Sequence, residues 1–164
     1  MPINFGTDGW RAVISDTFTF HNLRLVTQAV ADAIHSGHWH NQRADRPAPI
    51  PDRVVVGFDT RFLSDRYARD VARVMAANGY TVYIAQADSS TPSISYAVKN
   101  MNAIAGIVIT ASHNAPRYNG LKLKAADGCS ASPEQSRRVE IYLNENQERG
   151  RGPNLHPGMA NVPR

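Results

Sequence analysis

The sequence predicts an α/β fold in three layers, α/β/α, with helices on both faces of a mixed, mostly parallel sheet of about four strands. Two observations carry this prediction. Short runs rich in β-branched residues alternate with longer segments of helical spacing, as is typical of crossover units around a parallel sheet. One run, residues 104–109, carries no charge and lies between turn formers, as expected of a strand buried on both faces. At 164 residues, one domain with its own core is expected.

Four strands are predicted. Three of them are apolar runs, at residues 54–58, 81–84 and 104–109. The fourth is a short strand in which Leu121 and Leu123 alternate with Lys122 and Lys124. Because successive side chains of a strand point to opposite faces, the two lysines are expected on the face opposite the leucines.

Four helices are predicted around these strands. Apolar residues recur every three to four positions in segments 23–34, 68–75 and 94–101. Gly79 is expected to mark the end of the second helix. The fourth helix is predicted to start at Ser132-Pro133, since a capping hydroxyl followed by proline is typical of a helix N-terminus.

Two segments are predicted to lack regular structure. Residues 36–52 contain three prolines and are interpreted as a long exposed loop. Its histidines have no cysteine or convincing carboxylate beside them, so we interpret it as polar rather than metal-binding. Residues 150–164, rich in glycine and proline, are interpreted as a linker or disordered tail, which leaves residues 1–149 as the domain.

Composition and charge argue against three classes: membrane proteins, disulfide-stabilised proteins and nucleic-acid-binding proteins. No apolar stretch approaches the length of a membrane span, and the first residues lack the layout of a signal peptide. The single Cys129 excludes an intramolecular disulfide and fits a reducing cytoplasm, so a cytoplasmic protein with no membrane partner is expected. The net charge of +4 is scattered and accompanies no nucleic-acid motif, so no nucleic-acid partner is expected. An anionic small ligand suits this charge.

The most informative polar segment is Thr-Ala-Ser-His-Asn at residues 110–114, directly after a buried run. The loops after parallel strands reach the sheet edge where α/β folds bind ligands. Residues 57–61, Gly-Phe-Asp-Thr-Arg, should reach the same edge, and residues 6–11 place a cation after two glycines. One hydroxyl among cations and amides is what phosphoryl transfer needs. Taken alone, residues 110–114 are equally well interpreted as a turn capped by its own polar side chains.

Five motifs in this order carry a family resemblance. They are Gly-Thr-Asp-Gly-Trp-Arg at 6–11, Gly-Phe-Asp-Thr-Arg at 57–61, Thr-Pro at 91–92, Thr-Ala-Ser-His-Asn at 110–114 and Asn-Gly-Leu-Lys at 119–122. From Phe5 to about Leu143 the chain resembles the N-terminal domain of the α-D-phosphohexomutases, the phosphoglucomutase and phosphomannomutase family, which has four domains. Ala115 stands before Pro116 where the family usually has proline, which affects loop rigidity more than chemistry.

The resemblance implies an intramolecular phosphotransferase that interconverts hexose 1-phosphate and 6-phosphate through a phosphoserine and a bisphosphorylated sugar. Ser112 would carry the phosphate. Lys122 would assist proton transfer at the sugar hydroxyl, Arg11 would contact the phosphate, and His113 would line the loop, completing the expected catalytic set. Asn114 and Arg61 are the expected substrate- and phosphate-binding residues.

The same resemblance implies partners that the sequence does not contain. The family holds Mg²⁺ on an Asp-Gly-Asp-x-Asp-Arg loop of the second domain, and no such motif occurs here. This chain would contact the metal only through a phosphate on Ser112. The expected ligands are a phosphorylated hexose and a hexose 1,6-bisphosphate as activator, and the expected partners are the remaining three domains. We therefore expect a catalytic fragment that alone is inactive or nearly so.

Two alternatives stay open at this point. One is a stand-alone binding or regulatory module that keeps the mutase loop without turnover. The other, a doubly wound nucleotide-binding domain, is weakened because Gly-x-Gly-x-x-Gly is missing.

Overall fold

The structure, a computed structural model, describes residues 3–6, 9–37, 39 and 52–157. Over these residues it contains five strands and four helices, which confirms the predicted α/β class. In chain order they are β1 (Gly9–Val13), α1 (Phe20–His35), β2 (Arg53–Phe58), α2 (Ser64–Ala77), β3 (Thr81–Ile84), α3 (Thr91–Asn100), β4 (Ala105–Ile109), β5 (Tyr118–Ala125) and α4 (Pro133–Glu148). None of the described helices is long and apolar enough to cross a membrane.

The five strands form one mixed sheet in the order β1-β5-β4-β2-β3. Strand β2 runs parallel to both β3 and β4, whereas β5 runs antiparallel to both β4 and β1. The sheet is thus parallel only in its β4-β2-β3 half, not mostly parallel as predicted. Strand β1 was not predicted, because five residues that include an arginine give no apolar run.

Side-chain alternation in the strands divides the core into two layers. Val54 and Val56 join the larger cluster under α1, α2 and α4, whereas Val55 packs with α3 on the opposite face. Leu121 and Leu123 also belong to the larger cluster. Helices therefore cover both faces, as predicted.

The alternation in β5 places its lysines as the sequence predicts. Lys122 pairs with Val108, which packs on the α3 face. Lys124 pairs with Gly106, where an added Cβ would lie 2.5 Å from a methyl group of Val98 in α3. Both lysines thus lie on the face opposite the leucines of the same strand.

The segment between α1 and β2 differs from the exposed loop that was predicted. Trp39 is 2 % exposed, and its Nε1 donates to the carbonyl of Ile104 at 3.2 Å. Its own carbonyl accepts from Nε2 of Gln135, so the loop is fixed at this residue both to α4 and to the residue directly before β4. The exposed-loop prediction is wrong at Trp39. The indole is buried in the core although its neighbours in the sequence are polar. Residues 38 and 40–51 lie outside the described part of the chain.

After α4, residues 150–157 run along the surface of α1 and α2. Arg151 pairs with Asp32 at 3.3 Å, and the backbone N–H of Asn154 donates to Gln28 at 3.0 Å. The N–H of His156 donates to the carbonyl of Arg73 at 3.2 Å. Residues 158–164 lie outside the described part, and the domain boundary at residue 149 stays a prediction.

Candidate phosphate-transfer site

The loops after β2, β3 and β4 meet at one edge of the sheet and border an open cavity of about 620 Å³. This is the edge that the parallel strands predict for a ligand site. Its lining is rich in hydroxyl groups and consists of Asp59, Thr60, Arg61, Phe62, Ser89, Ser90, Thr91, Thr110, Ser112, Asn114 and Pro116. Residues 110–117, the loop after β4 that carries Ser112, are called the serine loop below. This loop and the N-terminus of α3 border the same cavity.

Ser112 stands exposed on this loop in a left-handed backbone conformation, with φ of 53°. For a residue with a Cβ this conformation costs about 1–2 kcal/mol. Two local hydrogen bonds hold it: the N–H of Ser112 donates to Oγ1 of Thr110, and the N–H of Asn114 donates to the carbonyl of Ala111, both at 3.0 Å. The loop therefore presents the serine hydroxyl outward at the rim of the cavity.

Arg61 reaches the serine loop from the neighbouring β2–α2 loop. Its Nη2 donates to the carbonyls of Ser112 at 2.8 Å and Asn114 at 2.6 Å. Its Nη1 donates to the carbonyls of Ala115 at 3.0 Å and Tyr118 at 3.1 Å. Its terminal nitrogens thus donate to backbone carbonyl oxygens, and the phosphate-binding role expected of Arg61 stays a prediction.

Asp59 anchors this arginine. Its Oδ2 lies 3.3 Å from Nε of Arg61, and its Oδ1 accepts from the Arg61 N–H and from Oγ of Ser64. The buried Asn119 donates to the same Ser64 Oγ at 2.9 Å. The sequence prediction did not assign Ser64 to the site. The one feature of the sequence that could have indicated this residue is its position three residues after Arg61, where α2 begins.

Arg11 and Lys122 lie on one face of the sheet, beside the strand that leads into the serine loop. Arg11 pairs with Gly120, and Lys122 pairs with Gly9 and Val108. An added Cβ at Gly120 would lie only 2.9 Å from Cγ of Arg11, so the arginine side chain passes over this glycine. The structure thus brings both predicted cations to the α3 face of β1 and β5.

His113 and Asn114 complete the predicted set. His113 is exposed, whereas Asn114 is half-buried and lines the cavity. The Asn114 Oδ1 is buried and accepts no hydrogen bond in the described part of the protein. An unsatisfied buried acceptor costs about 1–3 kcal/mol, which a donor from a bound ligand would recover.

The described residues do not by themselves fit a magnesium ion. Within the described ranges no three His, Cys, Asp or Glu side chains lie close enough together to hold a metal. Asp59 contributes the one carboxylate among the cavity-lining residues described, and Arg61 and Ser64 occupy it. Contact of a metal with this chain through a phosphate on Ser112 stays a prediction.

Comparison with known proteins agrees with the fold and the motifs. Residues 2–150 match the family described as phosphoglucomutase/phosphomannomutase, alpha/beta/alpha domain I. A phosphoglucomutase of Staphylococcus saprophyticus is 38 % identical over 143 residues, which is 87 % of this chain and 24 % of the relative. A phosphoglucomutase of Staphylococcus aureus is 41 % identical over 92 residues, 56 % of this chain and 17 % of the relative. The chain thus spans about a quarter or less of these relatives.

Solved structures show the same architecture. A protein of Thermus thermophilus, named as a phosphomannomutase, superposes with a TM-score of 0.78 at 35 % identity, covering 87 % of this chain and 30 % of that one. The open form of parafusin from Paramecium superposes with a TM-score of 0.68 over 88 % of this chain and 27 % of that one. Its identity of 23 % supports the fold alone. From its motifs, its sheet and these matches, the chain belongs to the phosphoglucomutase/phosphomannomutase family and corresponds to its α/β/α domain I.

Proposed function

We propose that this chain supplies the phosphate-carrying serine of a phosphotransferase that interconverts hexose 1-phosphate and hexose 6-phosphate. The observation that carries the proposal is the presentation of Ser112. Its hydroxyl is exposed at the cavity rim on a loop whose left-handed conformation is held by hydrogen bonds on both sides of the serine. A loop so held fixes the position of the reacting oxygen, and catalysis of phosphoryl transfer rests on positioning together with electrostatic stabilisation.

In the proposed reaction, a phosphate on Ser112 passes to the free hydroxyl of a hexose monophosphate. The bond between the serine Oγ and phosphorus breaks as the bond between the sugar oxygen and phosphorus forms. The proton of the sugar hydroxyl ends on the serine oxygen, and Lys122 assists its transfer. The product is a hexose 1,6-bisphosphate, which reorients and returns its other phosphate to Ser112 by the reverse step.

The remaining residues of the site support this transfer through charge and shape. Arg11, on the same sheet face as Lys122, is assigned to the equatorial oxygens of the phosphate, where a guanidinium stabilises negative charge. His113 and Asn114 form the loop beside the phosphoserine. A hexose 1,6-bisphosphate supplied from outside would load an unphosphorylated Ser112 and so act as activator. A magnesium ion would meet this chain only at that phosphate and would offset its charge.

Turnover requires more than this domain. The cavity is open, and an open cleft does not exclude water from a reactive phosphoryl group. The chain covers 24 % of its Staphylococcus saprophyticus relative, which leaves most of that protein to complete the cleft. We propose that residues 1–149 form the catalytic N-terminal domain and that residues 150–164 connect it to the next one.

The experiment measures interconversion of glucose 1-phosphate and glucose 6-phosphate, with Mg²⁺ and glucose 1,6-bisphosphate present. The chain is assayed alone and joined to the segment that follows domain I in the Staphylococcus saprophyticus relative. We expect turnover only in the joined protein. Ser112→Ala should reduce it by at least about 10³-fold, since the covalent carrier is removed. Ser93→Ala, an exposed serine in the first turn of α3, should leave turnover unchanged.

Full activity of the joined Ser112→Ala variant would contradict the proposal. A correctly folded joined protein without turnover, and without phosphate on Ser112, would instead favour a binding or regulatory module that keeps the loop.

A further inference from the structure

We propose that Arg61 is a positioning residue that holds the backbone of the serine loop and does not itself bind the transferred phosphate. The inference rests on the proposed function, since the hydroxyl that the loop presents is that of Ser112. The evidence for it is the set of hydrogen bonds that the Arg61 guanidinium donates.

Four carbonyl groups of the loop converge on the guanidinium of Arg61. They belong to Ser112, Asn114, Ala115 and Tyr118, at distances from 2.6 to 3.1 Å. Converging carbonyl dipoles repel one another unless a cation or a set of donors lies between them. One planar group with two terminal nitrogens therefore fixes the loop from the serine itself to the first residue of β5.

The donors of Arg61 are consumed by these contacts. A guanidinium has five N–H groups, of which the four on Nη1 and Nη2 meet the four carbonyls and the one on Nε faces Asp59. The side chain is 14 % exposed, so it forms part of the cavity wall while its donors point into the protein. No described donor of Arg61 is left to aim at a phosphate.

The arginine is itself held in place by a chain of hydrogen bonds that leads from the cavity into the core. Asp59 accepts from the Arg61 backbone and from Ser64, and Ser64 accepts from Asn119 at the start of β5. The Asp59 side chain is 25 % exposed at the cavity, whereas Ser64 and Asn119 are both fully buried, so the inner end of the chain lies out of reach of water. The β2–α2 loop, α2 and β5 thus support the arginine together, and its position sets the position of the loop.

Lysine cannot replace arginine in this role. Its ammonium is a point charge with three donors, so it cannot span four carbonyls in the way a planar fork does. If Arg61 held a phosphate through charge, lysine would conserve much of the function. The substitution therefore separates the two roles.

The test compares Arg61→Lys, Asp59→Asn and Arg66→Ala in two measurements. Arg66 is an exposed arginine of α2, and its replacement removes an arginine side chain that lies outside the serine loop. The first measurement is hydrogen exchange of residues 111–118 in the chain alone. The second is the rate of Ser112 labelling by radioactive glucose 1,6-bisphosphate with the remaining domains supplied, as a function of bisphosphate concentration.

For Arg61→Lys we expect faster exchange at residues 111–118. The maximal labelling rate should fall by about 10- to 100-fold, which is the effect of a small misplacement of a reacting atom. The half-saturating bisphosphate concentration should change less than about threefold, because no direct contact with the ligand is lost. Asp59→Asn keeps the arginine and should give a smaller change of the same kind, and Arg66→Ala should give none.

Unchanged exchange in Arg61→Lys, or a loss confined to the half-saturating concentration, would overturn the positioning role. An unlabelled wild-type protein would contradict the proposed function instead. The exchange measurement needs no labelling and still decides whether Arg61 holds the loop.

Discussion

At the scale of single residues, the site depends on Gly120 as much as on its charged groups. A Cβ at this position would lie 2.7 Å from the carbonyl oxygens of Thr110 and Trp10, and 2.9 Å from Cγ of Arg11. Two of these neighbours are backbone atoms of adjacent strands, which cannot move without opening the sheet. The glycine therefore allows β5 to pass between β1 and the end of β4 while Arg11 crosses above it.

Gly120→Ala is expected to lower the free energy of unfolding by about 2–3 kcal/mol, as overpacking of a rigid site does. Urea unfolding at neutral pH measures this loss. Gly152→Ala is the matched control, since nothing lies within 4 Å of its added Cβ, and it should unfold like the wild type. Equal stability of the two variants would show that the strands tolerate a wider spacing at the serine loop.

The sequence predicted that segments 57–61 and 110–114 reach one edge of the sheet, but not which atoms Arg61 contacts there. The residues of 57–61 and 110–114 come directly after parallel strands, so their arrival at one edge could be foreseen. The convergence of four carbonyls on Arg61 could not, because it depends on the conformation of the loop after β4. A charged residue in a motif looks the same in sequence whether it binds a ligand or backbone.

At the scale of secondary-structure elements, Tyr80, the residue directly before β3, connects this strand to α1. Its hydroxyl donates to the carbonyl of Ala31 at 3.3 Å, and its ring stacks on His35 with 4.9 Å between centroids. Burial, together with the nearby carboxylate of Asp32, raises the pKa of Tyr80 above its ordinary value. The folded protein therefore keeps this phenol neutral at a pH where the unfolded chain ionises it.

The raised pKa of Tyr80 predicts a loss of stability in alkali. The contribution of Tyr80 to the free energy of unfolding is fully present below about pH 10, the pKa of tyrosine in the unfolded chain. Above that pH the contribution falls by about 1.4 kcal/mol for each pH unit, until the pKa of the folded state is reached. Between pH 9 and pH 11 the wild type should lose about 1 kcal/mol more stability than Tyr80→Phe, measured by urea unfolding. Tyr96→Phe, at an exposed position of α3, should lose as much as the wild type. Identical pH dependence of wild type and Tyr80→Phe would contradict this account.

Elements with a strong local pattern were predicted well, and those fixed by distant contacts were not. The predicted helices and the three apolar strands all occur, and Gly79 follows α2 with φ of 87° as a helix stop requires. Strand β1 was missed because its pairing with β5 joins residues over 100 positions apart. Trp39 was missed for the same reason, since its partners lie directly before β4 and in α4.

At the scale of the whole molecule, the described residues border one open cavity at the edge of the sheet. Three strand-end loops border this cavity, one of them carries Ser112 at its rim, and Arg11 and Lys122 lie on the α3 face of the sheet. The chain covers 30 % of the Thermus thermophilus structure that it resembles. We propose that this domain supplies the carrier serine and part of the charge, and that the other domains supply the closed environment and the metal.

The most direct test of this account locates the phosphate. The chain, with the remaining domains supplied, is incubated with glucose 1,6-bisphosphate, digested with trypsin and analysed by fragmentation mass spectrometry. Cleavage after Lys99 and Arg117 releases residues 100–117, in which Thr110 and Ser112 are the two hydroxyl residues. We predict a phosphate on Ser112 alone. A phosphate on Thr110, on another peptide or on no residue would contradict the account.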